Sequence, residues 1–96
     1  MPMVVGVCTL ELNIADGSSL KDKRRVVKSV IARLRNEFNI AVAEVGNLDA
    51  RHSAVIAVVT VSNDRDYIHG LLSRVIQWIE KTRLDCDLVD YDIELI

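Results

Sequence analysis

The order in which hydrophobic periodicity changes along the chain is its strongest constraint. Leu10, Leu12 and Ile14 alternate with Glu11 and Asn13, the period-two pattern of a half-buried strand, and residues 4–14 read as β. Ala15-Asp16-Gly17-Ser18 is a turn, because Asp, Gly and Ser all favour chain reversal. From Ser19 to about residue 38 the period becomes helical, with Leu20, Val27, Val30, Ile31, Leu34 and Phe38 recurring. Ser19 and Asp22 have capping-box spacing, and Asn39 ends the helix. Residues 40–45 and 53–61 read as two strands joined by a longish loop, Gly46–His52. Ser62 or Asn63 then caps a second helix, with Asp64 and Asp66 in its first turn, where the helix dipole favours negative charge. Its apolar stripe is Ile68, Leu71, Leu72, Val75 and Ile79, and Lys81 and Arg83 suit its C-terminal end. A last strand covers residues 87–96.

This β-α-β-β-α-β order, with right-handed crossovers, predicts an α+β fold of the ferredoxin-like kind. One domain spanning residues 1–96 is expected, a four-stranded antiparallel sheet with two helices on one face. The helix-covered side is expected to take Leu10, Leu12 and Ile14, then Val55, Val59 and Val61, then Val89, Tyr91, Ile93 and Leu95. The open side then shows Val5, Val7, Thr9 and Glu11 beside Ile56, Val58 and Thr60. Half of the residues are hydrophobic, a large share for a small domain with so much surface. An apolar open face leads to the expectation of a homodimer through the sheet face or edge.

The net charge is only −2, which argues against a general polyanion-coating protein, but the charges are segregated. Between Leu20 and Phe38 lie seven cations, Lys21, Lys23, Arg24, Arg25, Lys28, Arg33 and Arg35, against Asp22 and Glu37. On a helical wheel Lys21, Arg24, Arg25, Lys28 and Arg35 form one stripe beside the apolar face, while Lys23 and Arg33 fall outside it. Several cations on one face suit a phosphate backbone without base-specific contact. Ser18 and Ser19, with the free N–H groups of the helix start, suit an anion. A solvated helix face is the alternative reading. From Asp85 onward the chain has Asp85, Asp87, Asp90, Asp92 and Glu94 and no cation. Asp90, Asp92 and Glu94 share a parity and are expected on the open face. They read as a partner-facing acidic edge or as protection against unwanted strand pairing.

Neither the first nor the third strand has an aromatic residue, so base stacking on the central strands, as in an RRM, is not expected. His52 lies in a loop near Asp49 and Arg51, with no nucleophile placed beside it. His69 reads as a surface residue of the second helix. Cys8 is expected to point to the core and Cys86, if it belongs to the last strand, to the opposite face, so the two are not expected to bond. No cofactor and no metal are expected, since phosphate-binding glycine motifs and close cysteine pairs are missing from the sequence. Acylphosphatases share the size and topology, but their phosphate-cradling loop is not matched by Asp16-Gly17-Ser18-Ser19; nothing marks an ACT-like amino-acid pocket either. The start, Met1-Pro2-Met3-Val4, has no basic segment followed by an apolar one, and no apolar run approaches a membrane span. The expected compartment is the cytoplasm, with no membrane partner.

The segments Ser19-Leu20-Lys21-Asp22-Lys23-Arg24-Arg25 and Phe38-Asn39-Ile40-Ala41-Val42-Ala43-Glu44-Val45 resemble the YlxP-like family of small bacterial proteins, a domain of unknown function. The resemblance covers nearly the whole chain. It implies a ferredoxin-like fold and, because the family's genes commonly sit near those for translation initiation and ribosome maturation, an association with RNA or the ribosome. Lys21, Lys23, Arg24 and Arg25 match the family pattern, as do Glu44 and Asp49; His52 stands where many relatives carry glutamine. The reading is therefore a non-enzymatic RNA- or ribosome-associated binding protein. It would use Lys21, Lys23, Arg24, Arg25, Lys28 and Arg35, with Ser18 and Ser19 as an anion site. A homodimeric interaction module and a small enzyme acting on a phosphorylated ligand are the alternatives.

Overall fold

The computed structural model describes residues 2–15, 19–82 and 84–96. Six elements follow in the expected order: β1 (Val4–Asn13), α1 (Leu20–Glu37), β2 (Ala41–Gly46), β3 (Ser53–Ser62), α2 (Arg65–Lys81) and β4 (Asp87–Leu95). The strands form one antiparallel sheet in the order β2-β3-β1-β4. This is the ferredoxin-like arrangement. β1 and β3 are central, and β2 and β4 are the edges.

Each helix begins where a side chain satisfies otherwise orphaned N–H groups. The Ser19 hydroxyl accepts from the Asp22 N–H at 3.2 Å. The Asp64 carboxylate accepts from the N–H groups of Asp66 and Tyr67 at 3.0 and 3.3 Å, so the cap falls just beyond the expected Ser62 or Asn63. Both helices lie on one side of the sheet and share one core with it. That core joins Val27, Val30 and Leu34 of α1 and Ile68, Leu72, Val75, Ile76 and Ile79 of α2 to Cys8, Leu10 and Leu12 of β1 and Ala54, Ile56 and Val58 of β3. α2 approaches β1 so closely that a methyl group at Gly6 would collide with Ile68 and lie 3.0 Å from Leu72.

The structure reverses the expected faces of β3. In its register with β1, Cys8 opposes Val58, Leu10 opposes Ile56 and Leu12 opposes Ala54, and residues directly opposite share a face. Ala54, Ile56, Val58 and Thr60 therefore meet the helices, while Val55, Ala57, Val59 and Val61 lie on the open side. Alternation could not reveal this, because β3 is apolar on both faces. β4 also departs from expectation at its start. Leu12 pairs with Leu88 and Glu11 with Asp90, which leaves Val89 as the extra residue of a bulge. Leu88 packs against the core in its place, Val89 is 59% exposed and Tyr91 50%. Ile93 and Leu95 pack inward as expected.

Candidate nucleic-acid interface

α1 and the edge strand β2 form the walls of an open groove of about 580 Å³. Lys21, Arg24, Arg25 and Lys28 stand around it, Val27 and Ile31 supply its apolar lining, and Glu44 of β2 completes it. The helical repeat of 3.6 residues explains the grouping, since residues three and four apart share a face. Capping at Ser19 fixes where the first turn begins, and so fixes where these side chains point.

The cations differ in how they are held. Lys21, Arg24 and Lys28 are exposed and make no ion pair among the described residues. Arg25 reaches Asp22 at 3.4 Å on the surface, a pairing that contributes only a few tenths of a kcal/mol, about 0.3. Arg35 stands apart from the groove and donates to the Val42 carbonyl at 3.2 Å, covering a polar group on the outer strand. Arg33 lies 5.7 Å from the centre of the Trp78 ring, and Trp78 meets Phe38 edge-on at 6.3 Å, so this cation links the two helices.

Lys23 corrects the reading of the run as a uniform surface. Its side chain is fully buried, and its ammonium donates to Glu44 Oε2 at 2.6 Å and to the carbonyls of Asn47 and Leu48 at 2.9 and 3.3 Å. Three donors meet three acceptors, which is the condition for burying a lysine charge at tolerable cost. Asn47 adopts φ 55°, a left-handed conformation that Asn tolerates better than most residues. Its carbonyl also accepts from the Ala50 N–H at 3.0 Å, and its side-chain amide donates to the Ser53 hydroxyl at 2.9 Å. Lys23 thus ties α1 to the β2–β3 loop and contacts no external ligand. Its burial was legible in the spacing: Lys23, Val27, Val30 and Leu34 form one helical stripe, and Glu44 shares parity with the buried Val42.

Ser18 lies outside the described residues. The Ser19 hydroxyl accepts the Asp22 N–H as the helix cap. His52 places Nδ1 3.1 Å from the Ile14 carbonyl; a carbonyl only accepts, so Nδ1 carries the proton. The ring is latched to the end of β1, and the Ile14 N–H returns a bond to the His52 carbonyl at 2.9 Å. Both cysteines are free. Cys8 is buried in the core as expected, and Cys86 precedes β4, so the expectation tied to strand membership does not apply to it; it packs against the core. Burial, with Asp92 nearby, pushes the Cys8 thiol up to about 11. Burial, with Asp87 and Asp85 nearby, does the same for Cys86. Among the described residues no group of three His, Cys, Asp or Glu side chains converges to hold a metal, and no helix is long and apolar enough to cross a membrane.

Asp90, Asp92 and Glu94 oppose Glu11, Thr9 and Val7 of β1, on the open side as expected. The groove beside β2 and the acidic strand β4 therefore occupy opposite edges of the sheet and opposite faces. Among the described residues, Glu44 is the carboxylate that lines the groove.

The profile of a family described as "Protein of unknown function (DUF503)" matches residues 5–93. The uncharacterized protein YlxP of Bacillus subtilis (strain 168) is 32% identical over 77 residues, which cover 80% of this chain and 84% of that one. The de novo designed protein Foldit4 is similar in structure, with a TM-score of 0.56 at 16% identity, over 99% of this chain and 97% of that one; this likeness bears on the fold alone.

Proposed function

This chain belongs to the DUF503 family of proteins of unknown function, and from that premise we propose that it is a non-enzymatic RNA- or ribosome-associated binding protein that uses the groove between α1 and β2. The observation that carries the reading is the set of four cations, Lys21, Arg24, Arg25 and Lys28, around one open groove. Such a cluster exchanges its counterions and those of a phosphate backbone for direct contacts, so binding should weaken steeply as salt rises. The acidic edge supports the reading by orienting an approaching polyanion: β4 repels it and α1 attracts it.

The test is co-sedimentation with ribosomes and retention of structured RNA across a salt series. Changing Lys21, Arg24, Arg25 and Lys28 together to Glu is expected to abolish retention near physiological salt and to flatten the slope of log affinity against log salt by roughly three. Unchanged retention by a folded variant would place the interface elsewhere.

The open side of the sheet favours a second reading, self-association. Val5, Val7, Val55, Ala57 and Val59 are only partly covered, and Val61 is 57% exposed. A second copy is the occupant that a patch with no charge on β3 would suit, with the acidic β4 edges kept apart. Sedimentation equilibrium is expected to show a dimer that Val59→Asp dissociates; a strict monomer at high concentration removes this reading.

A further inference from the structure

Glu44 answers the buried charge of Lys23, but it also lines a groove whose other charged side chains are cations, where a carboxylate opposes an anion. It is nevertheless held firmly. Its side chain is 15% exposed, and Lys23 binds Oε2 at 2.6 Å from below. No described residue hydrogen-bonds to Oε1, although a carboxylate offers about four acceptor positions. Glu44 sits on a strand and not on a mobile loop, so this acceptor has a fixed position. Val27 and Ile31 line the groove next to it. The groove thus offers cations to an anion, an aliphatic surface to a flat apolar face, and one anchored acceptor to an N–H group.

Resting on the RNA reading above, we propose that the groove holds a single unpaired nucleotide, its phosphates on Lys21, Arg24, Arg25 and Lys28, its base against Val27 and Ile31, and the base's pairing edge donating to Glu44. The volume of about 580 Å³ falls within the range of small-ligand sites. Unpaired bases are the parts of RNA whose pairing edges a protein can read. Donor chemistry ranks the bases. Guanine presents N1–H and N2–H₂ side by side to a carboxylate. Adenine and cytosine offer one amino group each. Uracil offers a single N–H between two carbonyls, which the carboxylate repels. Guanine is the preferred occupant and uracil the poorest.

Fluorescence anisotropy at one fixed, low salt concentration tests this with fluorescein-labelled heptauridylate in which the central base is uracil, hypoxanthine or guanine. The guanine oligomer is expected to bind about tenfold tighter than the all-uracil one, with the hypoxanthine oligomer between them because it lacks the 2-amino group. Glu44→Gln is expected to shrink the guanine preference to less than about twofold. Equal binding of the three oligomers to the unaltered protein, still sensitive to salt, would overturn base reading and leave the polyanion reading standing. No binding of any oligomer would overturn both. If Glu44→Gln does not fold, the three oligomers on the unaltered protein decide the question.

Discussion

The two helices do similar structural work by different means. α2 buries six apolar residues, Ile68, Leu71, Leu72, Val75, Ile76 and Ile79, against the central strand β1, at a contact close enough to require Gly6. α1 buries Val27, Val30 and Leu34 together with a charge, Lys23, and flanks the edge strand β2. One seat is sealed by shape alone. The other is partly ionic and leaves a groove beside it. A helix over the middle of a sheet has strands on both sides to fill its flanks, whereas a helix at the edge has solvent on one side. The groove lined by cations lies beside α1.

Lys23→Met breaks the α1 seat with the largest expected effect. It leaves the Glu44 carboxylate and the Leu48 carbonyl without the Lys23 donor, the Asn47 carbonyl keeping the Ala50 N–H, and losing one partner of a buried pair costs about 3 kcal/mol. Urea denaturation checks the magnitude, and hydrogen exchange is expected to show faster opening of residues 46–50 while α2 stays protected. Adding Glu44→Leu is expected to restore most of the loss, because the cost lies in the stranded charge more than in the missing attraction. Gly6→Ala breaks the α2 seat by overpacking and is expected to cost about 2 kcal/mol; Tm and the urea midpoint should fall without changing loop exchange.

A pH effect, confined to alkaline conditions, belongs to the apolar seat. Folding raises the Cys8 and Cys86 thiols from 9.0 to about 11, so the folded state favours the protonated form. The stability this confers is fully present below pH 9 and is lost as pH rises through 9 towards 11. Urea midpoints across that window are expected to fall more steeply for the unaltered protein than for a Cys8→Ala/Cys86→Ala variant. Equal slopes would show that the thiols are no better shielded than in the unfolded chain.

The order of elements was legible because each change of period is reinforced by a turn or a cap, as at Ser19 and Asp64. The facing of β1 was legible too, since Glu11 and Asn13 mark its wet side. β3 was not, because ten residues without a charge carry no sign of which side faces the helices; only pairing with β1 decides it. The bulge at Val89 was hidden for a similar reason: an extra residue in an edge strand changes no composition and shifts parity only locally. In the candidate site, Lys21, Arg24, Arg25 and Lys28 gather as their helical spacing implies. Arg35 does not join them, since its guanidinium is drawn to a strand carbonyl. Lys23 has the charge of a surface residue but the helical position of a buried one, on the stripe of Val27 and Val30. Glu44 was passed over as a groove residue because its partner lies 21 positions earlier in the chain.

Both outer strands carry an irregularity near the same end of the sheet: Gly46 pairs with Val55, leaving Val45 as the extra residue of β2, and Val89 is the extra residue of β4. A foreign chain zipping onto the free side of β2 would find only Ala41–Glu44 in continuous register before the ladder slips, and one of that side's carbonyls is already taken by Arg35. Chain-to-chain polymerisation along the sheet therefore has short, interrupted templates to grow from. This gives a protein with so much valine on its bare flank a built-in resistance to becoming a fibre.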